Sequence, residues 1–389
     1  MAFSRIPPGG NAVPLLRLFE SNKADFRPVF SRHSGFPEKN VFYAGSGTGA
    51  LYIALLALKR LYPERTEVVL PAWCCPSVPQ AILQAGLRAV QMDLDPDTFA
   101  YPPQALDTAV SGRTLTVLLV HYFGIPQPKP ALRNPPPLFL RDCAQDFDFR
   151  NAHEPDCALF YSFGRGKSLN SGHGGALVLP ENSSNPSLRA LCGEILETFP
   201  KAAHSPRNKA LLIEIFSHPA AFRIVSALPF LSIGKTVWEH PLRFTRIHPD
   251  FFGWATACFD VLEDHRNDYA NLARAYAESL TGMDGVLLPF KGYGRDHLPV
   301  RFPLRVTQAK LREKLQGNLN REFGGVTGQY PDILSRLPGV PAEFPRDGFY
   351  PGCEKIAAEI LTFPVTAWLL GKEGVFLKEA LKTLKESRR

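Results

Sequence analysis

A lysine and an aspartate that follow two strand-like segments are the residues of this sequence best suited to chemistry. Lys167 comes shortly after the apolar residues 158–163, and Asp142 follows the apolar residues 138–140. A lysine amine can form an imine with an aldehyde, and a carboxylate can hold a pyridine nitrogen protonated so that the ring accepts electrons. The pair therefore predicts a site for pyridoxal 5′-phosphate, in which Lys167 carries the cofactor and moves the substrate proton.

Polar residues near this pair are candidates for the rest of the site. Gln145 lies three residues after Asp142 and is predicted to contact the phenolic oxygen of the ring or the substrate. Ser162 precedes Lys167 and is predicted to donate a hydrogen bond to the phosphate. His173 lies in a glycine-rich stretch and is predicted to contact substrate. A structural reading stays open for the aspartate, which can cap a helix, and for the glycine-rich stretch, which can be a plain turn.

A second glycine-rich segment, residues 45–49, precedes an apolar helical pattern. Free backbone N–H groups at a helix start favour a phosphate, so Thr48 and Gly49 are predicted to bind it. Glycine and threonine also cap helices where no ligand binds, and this reading stays open as well.

Trp73 and Cys75 follow a strand-like segment, in the order Pro-Ala-Trp-Cys-Cys-Pro over residues 71–76. A side chain at this point can lie over the flat face of a cofactor ring, although a tryptophan can equally belong to the core. The vicinal cysteines have no partners at a spacing typical of a metal site, and no metal is predicted. Residues 164–168 resemble the end of a P-loop, but Tyr161 occupies its glycine position, which argues against nucleotide hydrolysis.

The 389 residues have the composition of a globular protein, with a formal net charge of +7 and 36 prolines. No run of five basic residues occurs, so nucleic acid is not a predicted partner; a diffuse positive charge fits an anionic cofactor or substrate, or ordinary solubility. Seven scattered cysteines and a start without an apolar signal core predict a reducing, cytoplasmic location.

Helical and strand patterns alternate from about residue 45, which predicts an α/β fold: a mostly parallel central sheet flanked by helices on both faces. Ligands bind such sheets beyond the carboxyl ends of their strands, where Asp142 and Lys167 fall. A helix after residue 45 should bury Leu51, Leu55 and Leu58. The further predicted strands are 67–70, 89–94 and 114–120, and the further helices are 76–85 and 103–110.

The later part of the chain follows a different pattern, and it divides the predicted domains into 1–250 and 251–389. The first comprises an arm at 1–40 and a helical insertion at about 184–245, whose apolar part, 209–234, is too interrupted to span a membrane. That part is predicted to be packed helices; an interfacial helix pair stays open, so membrane contact is not expected but would occur there. The second is predicted to be a smaller α+β domain, with helices 251–280, 308–319 and 372–385 and strands 285–288 and 298–302.

Together these motifs resemble the DegT-type (sugar aminotransferase) family of fold-type-I pyridoxal phosphate enzymes. The resemblance rests on residues 46–48 before an apolar helix, Asp142 to Gln145, Ser162 to Lys167, the paired glycines 174–175 and the stretch 354–364. These occur in the same order at plausible intervals along nearly the whole chain.

The resemblance implies a fold-type-I transferase in which Thr48, Gly49 and Ser162 hold the phosphate. It further implies a homodimer with a shared active site, to which residues 244–248 contribute across the interface, and Arg246 of this segment is predicted to contact substrate. This sequence departs from the family pattern near Cys75, where a bulky ring is usual, and at His173, where a glutamate is usual.

The leading hypothesis is an aminotransferase that moves an amino group from an amino acid, glutamate being the expected donor, to a keto group on a sugar or a related biosynthetic intermediate. An elimination, racemisation or dehydration on the same cofactor is the second hypothesis. A non-catalytic regulator or membrane-surface protein that reuses the fold is the third.

Overall fold

The large sheet is built from seven strands, the first of which, Val41–Ala44, was not predicted from the sequence pattern. The computed structural model describes residues 5–7, 25–146, 154–181, 186–226, 238, 241–289 and 299–386. The strands are β1 Val41–Ala44, β2 Glu67–Pro71, β3 Arg88–Met92, β4 Thr114–Val120, β5 Phe139–Asp142, β6 Cys157–Ser162 and β7 Gly175–Val178. They lie in the order β1-β7-β6-β5-β4-β2-β3.

Parallel pairing dominates this sheet, as predicted. The pairs β3–β2, β2–β4, β4–β5 and β5–β6 are parallel, whereas β7 runs antiparallel to both β6 and β1. Every residue of β4 is buried, which is typical of a strand covered on both faces.

Two apolar layers cover the faces of the sheet, because alternate residues of a strand point to opposite sides. In β4, Val117 and Leu119 belong to a smaller cluster with Leu106 of a neighbouring helix, whereas Leu118 and Val120 belong to the main core. The helices of this half are α1 Phe26–Ser34, α2 Gly47–Leu61, α3 Ser77–Gln84, α4 Pro103–Ala109 and α5 Ser187–Thr198. Leu51, Leu55 and Leu58 of α2 are buried, as their spacing predicts.

The predicted helical insertion contains α5 and two further described helices, α6 Pro206–Ser217 and α7 Pro219–Ser226. Residues 227–234, the last part of the apolar 209–234 stretch, lie outside the described residues, as does most of the predicted arm. Within the part of the chain that the structure describes, no helix combines the length and apolarity that crossing a membrane requires.

The long helix predicted over 251–280 is two helices, and this prediction is wrong. Helix α8 spans Asp250–Asp264 and α9 spans Arg266–Leu280, with His265 between them at φ −105° and ψ 4°. Asp268 lies in the first turn of α9, where the helix dipole favours a negative charge. That position favours the start of a new helix after His265.

A second sheet with three antiparallel strands follows: β8 Val286–Leu287, β9 Arg301–Val306 and β10 Ile360–Pro364, in the order β10-β9-β8. The strand predicted at 298–302 is displaced towards the C-terminus, because all of β9 from Arg301 to Arg305 pairs with β10. Three helices complete this region: α10 Ala309–Glu322, α11 Pro351–Glu359 and α12 Glu373–Glu386. The domain boundary at residue 250 stays a prediction.

Three polar contacts hold the C-terminal region, residues 251–386, on the edge of the large sheet. Arg305, which is fully buried, pairs with Glu359 at 2.7 Å and also contacts Asp97, next to the large sheet. The carboxylate of Asp93 accepts from the backbone N–H of Cys353 at 2.8 Å, at the start of α11. The N–H of Leu334 donates to the carbonyl of Ala72 at 2.8 Å, directly after β2. A loop between α10 and α11 therefore lies against the strand ends.

Candidate active site

A cavity opens at the carboxyl ends of the central strands. The parallel register places Val120 of β4 beside Asp142 of β5, and Asp142 beside Phe160 of β6. Parallel neighbours end at the same edge of a sheet, so the residues after these strands meet there. The cavity has a volume of about 110 Å³; Asp142 and Lys167 both line it.

Asp142 is a buried carboxylate in this cavity. One of its oxygens accepts from the backbone N–H of Ala144 at 3.0 Å. Burial raises the pKa of Asp142 above its usual value, while the Ala144 N–H, Lys167 and His121 act in the opposite direction. A cationic N–H donor inside the cavity would satisfy this carboxylate. Lys167 thus lies close enough to Asp142 to influence its charge, as the sequence predicts for a shared site.

His121, directly after β4, lines the cavity, although the sequence did not predict a role for it. Its Nε2 accepts from the guanidinium of Arg141 at 3.1 Å, because arginine can only donate. Its Nδ1 therefore carries the proton and donates to Asp146 at 3.0 Å. His121, Asp146 and Cys143 place atoms that could bind a metal ion within 4.8 Å of one another. Both imidazole nitrogens of His121 are, however, already hydrogen-bonded to Arg141 and Asp146.

Two helix starts and several hydroxyls meet at one side of the cavity. Helix α2 begins at Gly47 and α3 begins at Ser77, and both of these residues line the cavity. The hydroxyl of Thr48 donates to the hydroxyl of Ser77 at 3.1 Å. Ser162 lines the same cavity from the end of β6. Hydroxyl groups next to helix N-termini form a typical site for an anion.

Glycines allow α2 to approach the sheet this closely. A Cβ on Gly47 would lie 2.7 Å from the Cβ of Ser162, and a Cβ on Gly175 of β7 would overlap the backbone of Gly47 and Ser46. Gly49 does not line the cavity, and its N–H donates to the hydroxyl oxygen of the N-cap residue Ser46 at 3.0 Å. The expectation for Gly49 is corrected: Gly47 occupies the position at the cavity wall.

Trp73 and Cys75 lie in different environments. Cys75 lines the cavity, with its Sγ 3.1 Å from the hydroxyl of Ser77. Trp73 is fully buried and lies behind the cavity wall, where its ring packs edge-on against Tyr330 at 5.1 Å between centroids. The expectation that Trp73 covers a cofactor ring is therefore corrected, since the core reading describes its position.

Gln145 and Tyr330 line the cavity together. The Gln145 Oε1 accepts from the N–H of Phe123 at 3.1 Å, and its Nε2 donates to the phenol of Tyr330 at 3.4 Å. Tyr330 belongs to the loop between α10 and α11, and no local sequence signal marks it. Ser77 was also missed; its signal was a hydroxyl in the first turn of a helix that follows a strand.

The two predicted substrate residues lie outside the cavity of this chain. His173 is half-buried beside Gly45, and Ser171 donates to its carbonyl at 2.6 Å. The side chain of Arg246 forms an ion pair with Glu197, and its backbone forms an isolated antiparallel β-bridge with Ala44 at the end of β1. Their contact with substrate stays a prediction.

Comparison with known proteins agrees with this arrangement. Residues 18–198 match the model of the DegT/DnrJ/EryC1/StrS aminotransferase family. The match covers slightly less than half of this chain, so it shows a likeness of this part of the chain to that family. The matched residues include the start of α2, Asp142, Ser162 and Lys167.

Part of this chain is also similar to 3-amino-5-hydroxybenzoate synthase of Amycolatopsis mediterranei (strain S699). It is 31% identical over 181 residues, which cover 43% of this chain and 45% of the relative. The match thus spans less than half the length of that relative.

Solved structures extend the likeness from this part of the chain to the full fold. Sugar aminotransferase CalS13 from Micromonospora echinospora superimposes with a TM-score of 0.70 at 18% identity, covering 97% of this chain and 99% of that one. NtdA from Bacillus subtilis with bound cofactor PMP gives a TM-score of 0.65 at 19% identity, covering 97% and 79%. The predicted fold class, a mostly parallel central sheet flanked by helices with a smaller sheet beyond it, is confirmed, and these solved structures share the fold.

Proposed function

We propose that this protein is a pyridoxal 5′-phosphate-dependent aminotransferase that moves an amino group from an amino acid to a keto group on a sugar or related intermediate. The observation that carries the proposal is the shared cavity of Asp142 and Lys167, at the ends of adjacent parallel strands. The match of residues 18–198 to the DegT/DnrJ/EryC1/StrS aminotransferase family and the likeness to CalS13 and NtdA support it.

The residues of the cavity fit this cofactor. Asp142 is a buried carboxylate whose pKa burial raises, so a pyridinium N–H would supply the cation that it needs. Thr48, Ser77 and Ser162 would hold the phosphate next to the start of α2. Cys75 would contribute a small side chain to the wall around the cofactor. When bound, pyridoxal phosphate supplies an aldehyde that exchanges between amines and a ring that accepts electrons.

Lys167 is the group of the cavity best suited to move the substrate proton. The cavity also contains the ionisable side chains of Cys75, His121 and Tyr330. Both nitrogens of His121 are engaged by Arg141 and Asp146, and burial raises the pKa of Tyr330 well above its usual value. In this proposal, the Lys167 Nζ therefore takes and returns the proton at the substrate carbon, while Asp142 holds the charge opposite it.

The substrates and the assembly extend the proposal. Glutamate is the amino donor that we propose, and the acceptor class is suggested by the sugar aminotransferase likeness. A homodimer would bring residues 244–248 of one protomer towards the partner's site. All seven cysteines are free thiols, six of them buried, which supports a reducing cytoplasm.

Absorbance spectroscopy and borohydride trapping test the proposal directly. Protein reconstituted with pyridoxal phosphate should show a visible band, and borohydride should fix the cofactor on the peptide that contains Lys167. The Lys167→Ala variant should lose the trapped adduct, whereas Lys382→Ala, at an exposed position, should keep it. Trapping that persists unchanged in Lys167→Ala would refute the assignment.

A spectral titration with L-glutamate, L-glutamine and L-aspartate separates transamination from the lyase reading. Transamination predicts that one of these donors removes the visible band and that a keto acid restores it. Release of ammonia without an acceptor would instead favour elimination.

A further inference from the structure

Strained backbone is concentrated behind one wall of the cavity. Among the described residues, the non-glycine residues with positive φ are Phe99 at 57°, Phe123 at 56° and Gln329 at 61°. Phe99 and Phe123 pack together at 6.1 Å between ring centroids, and Phe99 also packs on Trp73 at 5.9 Å. Gln329 immediately precedes Tyr330, whose ring packs on the same tryptophan. Such conformations persist where the surrounding structure imposes them, and they are common at functional sites.

The donor and the acceptor of each hydrogen bond in this wall can be assigned. Phe123 can only donate through its N–H, so the Gln145 side chain must present Oε1 to it, at 3.1 Å. This fixes the amide orientation, and Nε2 therefore points to the phenol of Tyr330. The phenol oxygen is the acceptor of this bond. The phenol proton is consequently left to donate elsewhere.

Contacts with the end of β2 hold Tyr330 in the wall of the cavity. The Trp73 indole N–H donates to the Tyr330 carbonyl at 3.3 Å, and the two rings pack edge-on at 72°. Leu334, four residues later, is tied to the end of β2 through Ala72. The phenol itself is part of the cavity lining, together with Asp142 and Lys167.

We propose that Tyr330 is a substrate-positioning residue whose phenol donates a hydrogen bond to a carboxylate oxygen of the amino donor. The inference deepens the proposed function and rests on it. Burial, together with Cys75 and Asp142, raises the pKa of Tyr330, so the phenol keeps its proton at neutral pH and acts as a donor rather than a base. Gln145 orients this donor and does not itself need to reach the substrate.

The test uses the reconstituted enzyme and whichever of L-glutamate, L-glutamine or L-aspartate removes the visible band fastest in the wild type. Tyr330→Phe keeps the ring and its packing on Trp73 but removes the donor. We expect an unchanged cofactor band and unfolding midpoint, with the ratio of maximal rate to half-saturating donor concentration lowered about 10- to 100-fold, as for a lost hydrogen bond to a charged group. Adding Gln145→Ala to Tyr330→Phe should lower this ratio by less than Gln145→Ala does in the wild type.

Tyr276→Phe is the matched control, because it removes a buried phenol that bonds the Pro364 carbonyl at 3.1 Å in the same region, away from the cavity lining. It should leave the donor reaction unchanged. A Tyr330→Phe enzyme that reacts with the donor as fast as the wild type would overturn the inference. So would a shift of the pH at which the cofactor band changes without a change in donor saturation, since that places the phenol on the cofactor. A wild type without a cofactor band would instead refute the proposed function.

Discussion

The Nε2 of Gln145 lies 3.4 Å from the phenol oxygen of Tyr330, although 185 residues separate them in the chain. Gln145 follows the central strand β5, whereas Tyr330 belongs to the C-terminal region. The cavity is therefore completed by a residue from the second half of the chain. Interactions that hold this region on the large sheet also position the wall of the active site.

Asp142→Asn should abolish activity while stabilising the apoprotein at neutral pH. Because burial raises the folded-state pKa of Asp142, its contribution to stability is fully present below its unfolded pKa and is lost as pH rises through its folded pKa. The amide carries no such pH-dependent cost. Thermal unfolding of the two apoproteins between pH 4 and pH 8, about the range in which carboxyl groups with raised pKa titrate, should show their midpoints separating as pH rises. Wild-type apoprotein that gains stability relative to the variant as pH rises would contradict this.

Ser77→Ala should weaken cofactor binding without unfolding the protein. The change removes one hydroxyl from the side of the cavity that we assign to the phosphate, so we expect the dissociation constant of pyridoxal phosphate to rise about 5- to 50-fold. Equilibrium dialysis measures it. Ser187→Ala is the matched control, because Ser187 also begins a helix, α5, but does not line the cavity. Equal cofactor affinity in both variants would remove Ser77 from the phosphate site.

Gly175→Ala should destabilise the protein by about 1–3 kcal/mol, the usual effect of overpacking a tight site. The new methyl group would overlap the backbone at the start of α2, so cofactor affinity should fall as well. Gly317→Ala is the control with the opposite expected effect. Gly317 is exposed within α10 with no atom near the added methyl group, so we expect the free energy of unfolding to rise by about 1 kcal/mol. Urea unfolding of the two variants measures both values. A neutral Gly175→Ala would show that α2 can move away from the strands.

Arg305→Ala should cost about 3–5 kcal/mol, because it leaves the Glu359 carboxylate without its buried partner. Since Arg305 also contacts Asp97 beside the large sheet, the C-terminal region should separate more readily, and donor turnover should fall with it. Arg133→Ala is the control: Arg133 is 79% exposed, so its pair with Asp107 should contribute less than about 1 kcal/mol. Denaturant unfolding together with limited proteolysis distinguishes local from global loss. Similar costs for the two variants would mean that burial of Arg305 contributes little.

Local patterns were sufficient for most strands of the large sheet and for the parts of the site that follow them. The run 114–120 predicts β4 because a strand covered on both faces is apolar throughout, and the spacing of Leu51, Leu55 and Leu58 matches one face of α2. Asp142, Ser162 and Lys167 could be placed together because parallel strands end at one edge of a sheet. These inferences need only residues that are neighbours in the chain or in a regular element.

The remaining features depend on contacts between distant segments. Whether Trp73 or Cys75 faces the cavity depends on what packs behind β2, and the loop with Tyr330 fills that space, so the tryptophan lies in the core. The break at His265 and the position of β9 are likewise decided by packing and by pairing with β10. The sequence by itself determined the fold class and the Asp142–Lys167 chemistry, since both arise from local periodicity and strand ends. Only the tertiary structure decided that Tyr330 completes the cavity, because no pattern within either segment records which distant side chain will lie beside it.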